Sequence, residues 1–189
     1  MNTALLVLRL VPGLLLIGHG LQKLVPARYS PPLLHASGPR ATAGFFEELG
    51  LRPALLSVFM AALAEIVGGA LLASGLETPL ATALIASVMT TGILSVHIRK
   101  GIWAAEGGFE YALVLLTMAY LATALGPGTL SIDSWAGISN WAGIHWAAGA
   151  EVRAAAAVGV GAAAGVLTLA AGSARKTIDA GKREPSAAH

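Results

Sequence analysis

Five long apolar segments constrain this chain more than any other feature of its sequence. A helix needs about 20 apolar residues to cross the hydrocarbon core of a bilayer. No polar stripe with the 3.6-residue period of a soluble surface helix runs along the five segments. They therefore predict an all-α integral membrane protein, a four-helix bundle followed by a fifth, C-terminal transmembrane helix. The segments cover residues 4–22, 54–75, 80–98, 109–125 and 154–174.

The scarcity of charge excludes several other classes of protein. Charged residues make up 12% of the chain, against about 25% in soluble domains, so a water-soluble globule and a disordered chain are both excluded. The chain has no cysteine, which excludes disulfides, zinc–thiolate sites and cysteine-ligated iron–sulfur clusters. No cluster of histidines or carboxylates has metal-ligand spacing, so no metal is expected. No basic stripe with interleaved aromatic residues suggests nucleic-acid binding.

Two long connections separate the apolar segments. The first, residues 23–53, contains several prolines and then a short amphipathic helix over 43–51, which we expect to lie on the membrane surface. The second contains tryptophans, which favour the bilayer interface. A tight turn at 77–79 predicts that the second and third segments are antiparallel neighbours. The predicted divisions are a four-helix membrane domain, a Trp-rich interfacial loop, the fifth span and a polar cytoplasmic tail, at residues 1–133, 134–153, 154–174 and 175–189.

The distribution of basic residues predicts the orientation. With five spans, ten of the twelve lysines and arginines lie on one side of the membrane, in the first loop, the third loop and the tail. Arg153 is on the opposite side, and Arg9 lies within the first span. Basic residues favour the cytoplasmic side. We therefore expect the N-terminus outside and the C-terminus in the cytoplasm.

Glu65 is the first candidate for a functional residue, because it lies near the middle of the second segment. An unpaired charge at the bilayer centre costs about 2.5–3.5 kcal/mol on insertion scales. Small residues three and four positions away on both sides leave room for a neighbouring helix, so the carboxylate is expected to point into the bundle. Two interpretations stay open. Glu65 is either a proton-accepting or quinone-facing group, or a structural ion pair whose expected partner is Arg9.

The first segment carries a stripe of polar and small residues, spaced three or four positions apart from Arg9 to Lys23. Such a stripe faces protein or an internal cavity rather than lipid. On this stripe, His19 could bond a quinone carbonyl or relay a proton, or it could simply bond a backbone carbonyl at the helix end. Lys23 is interpreted as a residue that extends its amine to the membrane interface.

His97 and Glu110 border the third and fourth segments on the same predicted side as His19 and Lys23. These four residues could form a polar vestibule, or they could be ordinary helix-end groups. His19 and His97 could also hold a haem, but nothing else in the sequence resembles a haem site. Further along, Asp133 with Ser131 is expected to cap a turn by bonding backbone amides.

Short motifs in a fixed order resemble the DoxX family of small bacterial membrane proteins. They are Arg9-Leu10, His19-Gly-Leu-Gln-Lys-Leu24, Phe45-Phe46, Leu49-Gly-Leu51, Glu65-Ile-Val-Gly-Gly-Ala-Leu-Leu72, Gly108-Phe-Glu-Tyr111, Gly126-Pro-Gly128 and Leu130-Ser-Ile-Asp133. The resemblance covers about residues 5–133 and implies a four-helix bundle in the bacterial plasma membrane. Relatives resemble the membrane subunit of thiosulfate:quinone oxidoreductase, and others are associated with complexes that handle sulfur compounds and superoxide.

The leading functional hypothesis is a membrane subunit of an oxidoreductase assembly that anchors other protein subunits and contacts the quinone pool. Quinone, bound non-covalently, is the cofactor that this resemblance suggests, and the chain is not expected to be catalytic alone. The candidate polar site contains Arg9, His19, Lys23, Glu65, His97 and Glu110. One rival is a non-catalytic scaffold that recruits partner proteins. Another is a transporter of small molecules or lipids, although the inverted repeats typical of transporters are not found.

Overall fold

The computed structural model describes residues 2–137 and 149–183, with side chains as far as Ile178. Within these ranges the chain is helical and contains no strand, which confirms the predicted all-α membrane fold. The α-helices are α1 (Asn2–Leu24), α2 (Pro39–Glu48), α3 (Ala54–Ser74), α4 (Thr78–Gly92), α5 (Glu110–Ala124), α6 (Ile132–Trp135) and α7 (Ala150–Arg183). A π-helical turn, Ile93–His97, and a 3₁₀ turn, Ile98–Lys100, extend α4.

Four helical stretches among the described residues are long and apolar enough to cross a membrane. They are Asn2–Leu24, Ala54–Ser74, Thr78–Lys100 and Ala150–Ile178. The fourth predicted segment is the shorter helix α5, whose 15 residues extend roughly 22 Å at 1.5 Å per residue. Its shortness follows from the glycines that border it, at positions 107–108 and 126. The fifth predicted segment is longer than expected, because α7 begins at Ala150 and continues to Arg183.

Helices α1 and α3 are antiparallel and pack closely through glycines. A Cβ atom built on Gly13 would lie 2.6 Å from the Gly69 carbonyl oxygen, and one on Gly20 would lie 2.8 Å from the Ala62 carbonyl oxygen. Only glycine allows the two backbones to approach so closely. The buried side of α1 includes Arg9, Pro12, Gly13, Leu16 and Gly20. The stripe predicted for the first segment therefore does face protein over this stretch.

Helices α4, α5 and α7 complete the bundle. Gly161 of α7 packs against the carbonyl of Ala83, and a Cβ on Gly165 would lie 2.6 Å from the Ser87 carbonyl oxygen. The run of alanine and glycine in α7 thus serves close packing against α4. Helix α5 is tied to α4 by hydroxyl groups, because Thr82 Oγ1 donates to the Ala119 carbonyl at 2.9 Å. A glycine at position 75 ends α3 in the left-handed conformation (φ 66°), which makes α3 and α4 consecutive antiparallel helices.

The loops agree with the sequence in part. A short helix is observed where one is predicted at 43–51; it is α2, which begins earlier because Pro39 fits the first turn of a helix. Ser131 caps α6 by accepting a hydrogen bond from the Ser134 amide at 3.2 Å. In the predicted Trp-rich loop, Trp135 is exposed, while residues 138–148 lie outside the described part of the chain. The predicted tail is helical as far as Arg183, and residues 184–189 are likewise outside the described part.

Candidate functional site

Glu65 lies inside the bundle, as predicted, but its partner is Lys23. Lys23 Nζ is 2.6 Å from Glu65 Oε2, and the exposed fractions of the two side chains are 19% and 5%. The expected pairing of Glu65 with Arg9 is wrong. Because α1 and α3 are antiparallel and Gly13 lies opposite Gly69, Arg9 lies beyond this level, near the C-terminal end of α3.

Lys23 was expected to extend to the membrane interface, and this expectation is wrong as well. The side chains of a helix lean toward its N-terminus, so the Lys23 amine turns back into the bundle. There Nζ also donates to the His19 backbone carbonyl at 3.1 Å. The amine therefore compensates a buried carboxylate and also satisfies a carbonyl in the last turns of α1.

His19 forms a second polar pair one turn away from Lys23, with Tyr111 of α5. Its Nε2 lies 3.2 Å from the Tyr111 hydroxyl oxygen, and its Nδ1 lies 3.1 Å from Gln22 Oε1. Gln22 is oriented by its own amide, which donates to the Leu34 carbonyl at 2.7 Å. Because Gln22 Oε1 can only accept, Nδ1 of His19 carries the proton. In neutral His19, Nε2 then accepts from the Tyr111 hydroxyl.

We call Lys23, Glu65, His19 and Tyr111 the polar cluster. Among the described residues, no hydrogen bond from one side chain to another joins its two pairs. They are connected through the Lys23 bond to the His19 backbone and by proximity, since the Glu65 charge interacts with both His19 and Tyr111. The Lys23–Glu65 pair is the inner part. The outer part is the His19–Tyr111 pair, where Tyr111 is 43% exposed.

Tyr111 was not among the predicted site residues. The sequence offered one signal for it, a tyrosine in the first turn of the fourth apolar segment, on the same predicted side of the membrane as His19. Glu110, the predicted site residue beside it, has a different partner. In the structure its Oε2 accepts a hydrogen bond from the Ala104 amide at 2.9 Å. Adjacent residues of a helix point about 100° apart, so Glu110 serves the preceding loop while Tyr111 meets His19.

His97 also holds this loop. It ends the π-helical turn, and its Nδ1 donates to the Gly107 carbonyl at 2.7 Å. Of the six predicted site residues, the structure brings together His19, Lys23 and Glu65. The hydrogen bonds of Arg9, His97 and Glu110 go to other parts of the protein. Both ring nitrogens of His19, the atoms that would bind a haem iron, lie within hydrogen-bond distance of neighbouring side chains, Gln22 and Tyr111.

Arg9 belongs to a separate cluster at the opposite end of α1. Its side chain is buried, and Nη2 donates to the Leu130 carbonyl at 2.5 Å. The Asp133 carboxylate accepts the Glu77 amide at 3.1 Å, so it bonds a backbone amide of the turn between α3 and α4, whereas the sequence predicted that it would cap its own turn after α5. Burial raises the pKa of Asp133 above its ordinary value, and the Glu77 amide and the Arg9 charge offset only part of this rise. These contacts fasten the loop after α5 to the ends of α1 and α3.

The part of the chain that the structure describes contains no candidate metal site. Residues 2–137 and 149–178 contain no group of three or more histidine, cysteine, aspartate or glutamate side chains that could hold a metal ion. The charged groups inside the bundle are instead two basic residues of α1, each near one end of that helix, and the carboxylate of Glu65. The side chains of the polar cluster can form hydrogen bonds and exchange protons.

Comparison with known proteins agrees with the motifs. The DoxX family model matches residues 4–98, which include α2 to α4 and all but the first two residues of α1. A protein of Bacillus subtilis (strain 168) named "Putative oxidoreductase CatD" is 31% identical over 128 residues, which are 68% of this chain and 83% of that protein. No solved structure matches the chain. By the family match and by this identity, the chain belongs to the DoxX family, and it is a multi-pass helical membrane protein.

Proposed function

We propose that this chain is the membrane subunit of an oxidoreductase assembly and that it binds a quinone headgroup at the His19–Tyr111 pair. The observation that carries the proposal is this half-exposed pair of exchangeable groups directly in front of a buried Lys23–Glu65 pair. The printed name of the Bacillus subtilis relative supports an oxidoreductase setting. Buried ionisable groups in membrane helices are retained for function more often than similar groups on a surface.

The geometry suits a ligand that arrives from the lipid. Helices α1 and α5 touch only lightly, and the pair that bridges them includes an exposed Tyr111. A quinone is lipid-soluble, and its carbonyl oxygens accept hydrogen bonds. The Tyr111 hydroxyl can donate one, after rotating away from His19. Glu65 is too buried to touch such a headgroup without a rearrangement, so it acts as the charge behind the site.

Reduction of a quinone to a quinol consumes two electrons and two protons. The polar cluster can exchange protons, since an imidazole, a phenol and a carboxyl group can each accept or release one. The cysteine-free sequence offers no thiol chemistry for the electrons. In this proposal the electrons come from a partner subunit, which the chain anchors at the membrane.

We also propose a place and an orientation for the protein, the bacterial plasma membrane with the N-terminus outside and the C-terminus in the cytoplasm. The support is the charge distribution. The basic residues Arg52 and Arg175 line one end of the bundle, the end at which α3 begins. Positive charge on loops and helix ends favours the cytoplasmic face.

Bound quinone can be tested on the full chain in native discs excised from membranes with styrene–maleic acid copolymer. Quinones are extracted and quantified by liquid chromatography and mass spectrometry, relative to phospholipid and to discs that hold an unrelated membrane protein. Wild-type discs should hold quinone above this background. Tyr111→Phe should bind about three- to tenfold more weakly, since one neutral hydrogen bond is worth about 0.5–1.5 kcal/mol.

Tyr120→Phe is the matched control, because it removes the same hydroxyl from the same helix, nine residues away from Tyr111. It should retain quinone as the wild type does. Equal retention in Tyr111→Phe and Tyr120→Phe would contradict the assigned site. Discs that carry co-purified partner proteins but quinone only at background would contradict the quinone proposal and favour the scaffold.

A further inference from the structure

A cavity lies at the end of the bundle where α7 leaves it, and none of its lining residues belongs to the polar cluster. Its volume is about 330 Å³, and residues from the end of α2, the start of α3 and the last turns of α7 surround it. Two guanidinium groups, one carboxylate and three apolar side chains therefore meet in one place. The lining residues are Glu47, Arg52, Pro53, Ala54, Arg175 and Ile178.

The length of α7 places this cavity at the membrane surface. Its 34 residues extend roughly 51 Å at 1.5 Å per residue, whereas the hydrocarbon core is about 30 Å thick. Gly172 packs against the carbonyl of Gly50, just before α3 begins at Ala54. The part of α7 that follows Gly172 therefore runs past the start of α3. Arg175 and Ile178, three residues apart, share one face of this part.

The charges favour an anionic ligand. Arg52 is paired with Glu47, at 3.2 Å between Nη2 and Oε1, but the Glu47 side chain is 61% exposed. An ion pair this exposed is worth little and is easily rearranged. Within the described residues, Arg175 has no ion-pair partner. Guanidinium groups bind phosphate oxygens through two parallel hydrogen bonds, so a phosphate between the two arginines would be held by both.

The apolar side of the cavity indicates where the phosphate comes from. Pro53 and Ala54 continue along α3 into Leu55 and Leu56, which are 48% and 55% exposed. These leucines belong to a membrane-spanning helix, so their exposed surface faces acyl chains. A ligand with a phosphate at the arginines and an acyl chain on the leucines satisfies both sides of the cavity. Free phosphate would satisfy only one. Basic pockets at the ends of transmembrane helices are used for such headgroups.

The geometry points to a binding site for an anionic phospholipid, with the phosphate held between Arg52 and Arg175 and one acyl chain along the start of α3. The probe is dioctanoyl-phosphatidylglycerol, added to the delipidated full chain in detergent and measured by native mass spectrometry. Arg175→Gln should weaken its binding about tenfold or more, the usual scale for a charge-assisted hydrogen bond. Glu47→Gln should strengthen binding, since it removes the carboxylate that competes for Arg52.

Lys176→Gln is the matched control. It removes one positive charge from the adjacent position of α7, and Lys176 does not line the cavity. Lipid binding by Lys176→Gln should stay within about twofold of the wild type. Lipid binding by Arg175→Lys should lie between that of the wild type and that of Arg175→Gln. The inference is overturned if Arg175→Gln and Lys176→Gln weaken binding equally. It is also overturned if dioctanoyl-phosphatidylcholine binds as tightly as dioctanoyl-phosphatidylglycerol, because the site would then accept lipids without net charge. Equally tight binding of inorganic phosphate would overturn it too, because the ligand would then be a free anion.

Discussion

The Lys23–Glu65 pair can be tested by a double-mutant cycle. The changes are Lys23→Met, Glu65→Gln and the two together. Glu65→Gln leaves an ammonium group without its carboxylate, and Lys23→Met leaves a carboxylate that is 5% exposed without its amine. The double variant contains neither charge, so it should recover much of the stability that each single variant loses.

The magnitudes follow from burial. Removing one partner of a buried ion pair costs about 3–5 kcal/mol, because an uncompensated charge stays in the interior. Lys23 is 19% exposed and can extend toward water, so Glu65→Gln should lie near the lower end of this range. Glu65 lacks such an exit, and Lys23→Met should cost more. We expect an interaction free energy of about 2–3 kcal/mol from the cycle.

The assay is unfolding of the purified chain in mixed micelles of increasing dodecyl sulfate content, followed by circular dichroism. A second cycle, with Arg9→Met and Glu65→Gln, is the control. Arg9 and Glu65 make no contact in the structure, so their effects should add within about 0.5 kcal/mol. The assigned pairing is refuted if the Lys23 cycle is additive, and the rejected Arg9 pairing is restored if the second cycle shows the coupling.

Three further predictions concern the ends of the bundle. Gly75→Ala should destabilise the protein by about 2–5 kcal/mol in the same assay, because φ is 66° and the new methyl group would overlap the buried arginine of α1. Gly126→Ala, at φ 81° in open space, should cost only about 1–2 kcal/mol, and equal losses would argue against that overlap. Because the pKa of Asp133 is raised in the folded protein, the folded state holds this proton more tightly than the unfolded state does. The stability that Asp133 contributes is therefore present at low pH and is lost as pH rises through the raised pKa. Asp133→Asn should remove this part of the dependence of stability on pH. In intact cells, a cysteine at position Lys176 should be protected from an impermeant thiol reagent and one at Thr129 labelled, and the opposite result would reverse the proposed orientation.

Much of the fold could be predicted from the sequence, because hydropathy and backbone rules act locally. A long apolar segment in a membrane must form a helix, since the lipid offers no hydrogen bonds to its backbone. Turn residues such as Gly75 fix where one helix ends and the next begins. The true extent of α7 could not be predicted in this way. Beyond Ala174, where the apolar segment ends, the helix continues through a mostly polar sequence, for which hydropathy carries little signal.

The site was less predictable, because its contacts depend on the register between helices. The sequence placed Glu65 in the interior, but two basic residues of α1 lay within plausible reach of it. The choice between Arg9 and Lys23 depends on the Gly13–Gly69 contact, which sets how far α1 is shifted along α3. These two residues are 14 positions apart in α1, about 21 Å along the helix axis, so the register decides which of them lies near Glu65. Tyr111 depends in the same way on the rotation of α5 about its axis, and a helix with so even an apolar surface gives little indication of that rotation.

Arg9 and Lys23, the two basic residues of α1 inside the bundle, have different surroundings. The Arg9 side chain contacts the Leu130 carbonyl and the end of α3, so protein atoms fill the space around it. Lys23 lies behind a half-exposed histidine and tyrosine that a membrane-soluble molecule can approach. Loss of stability without loss of ligand binding is therefore the expected consequence of changing Arg9. Changing Lys23 should affect both, because the same amine neutralises Glu65 and supports the backbone that carries His19.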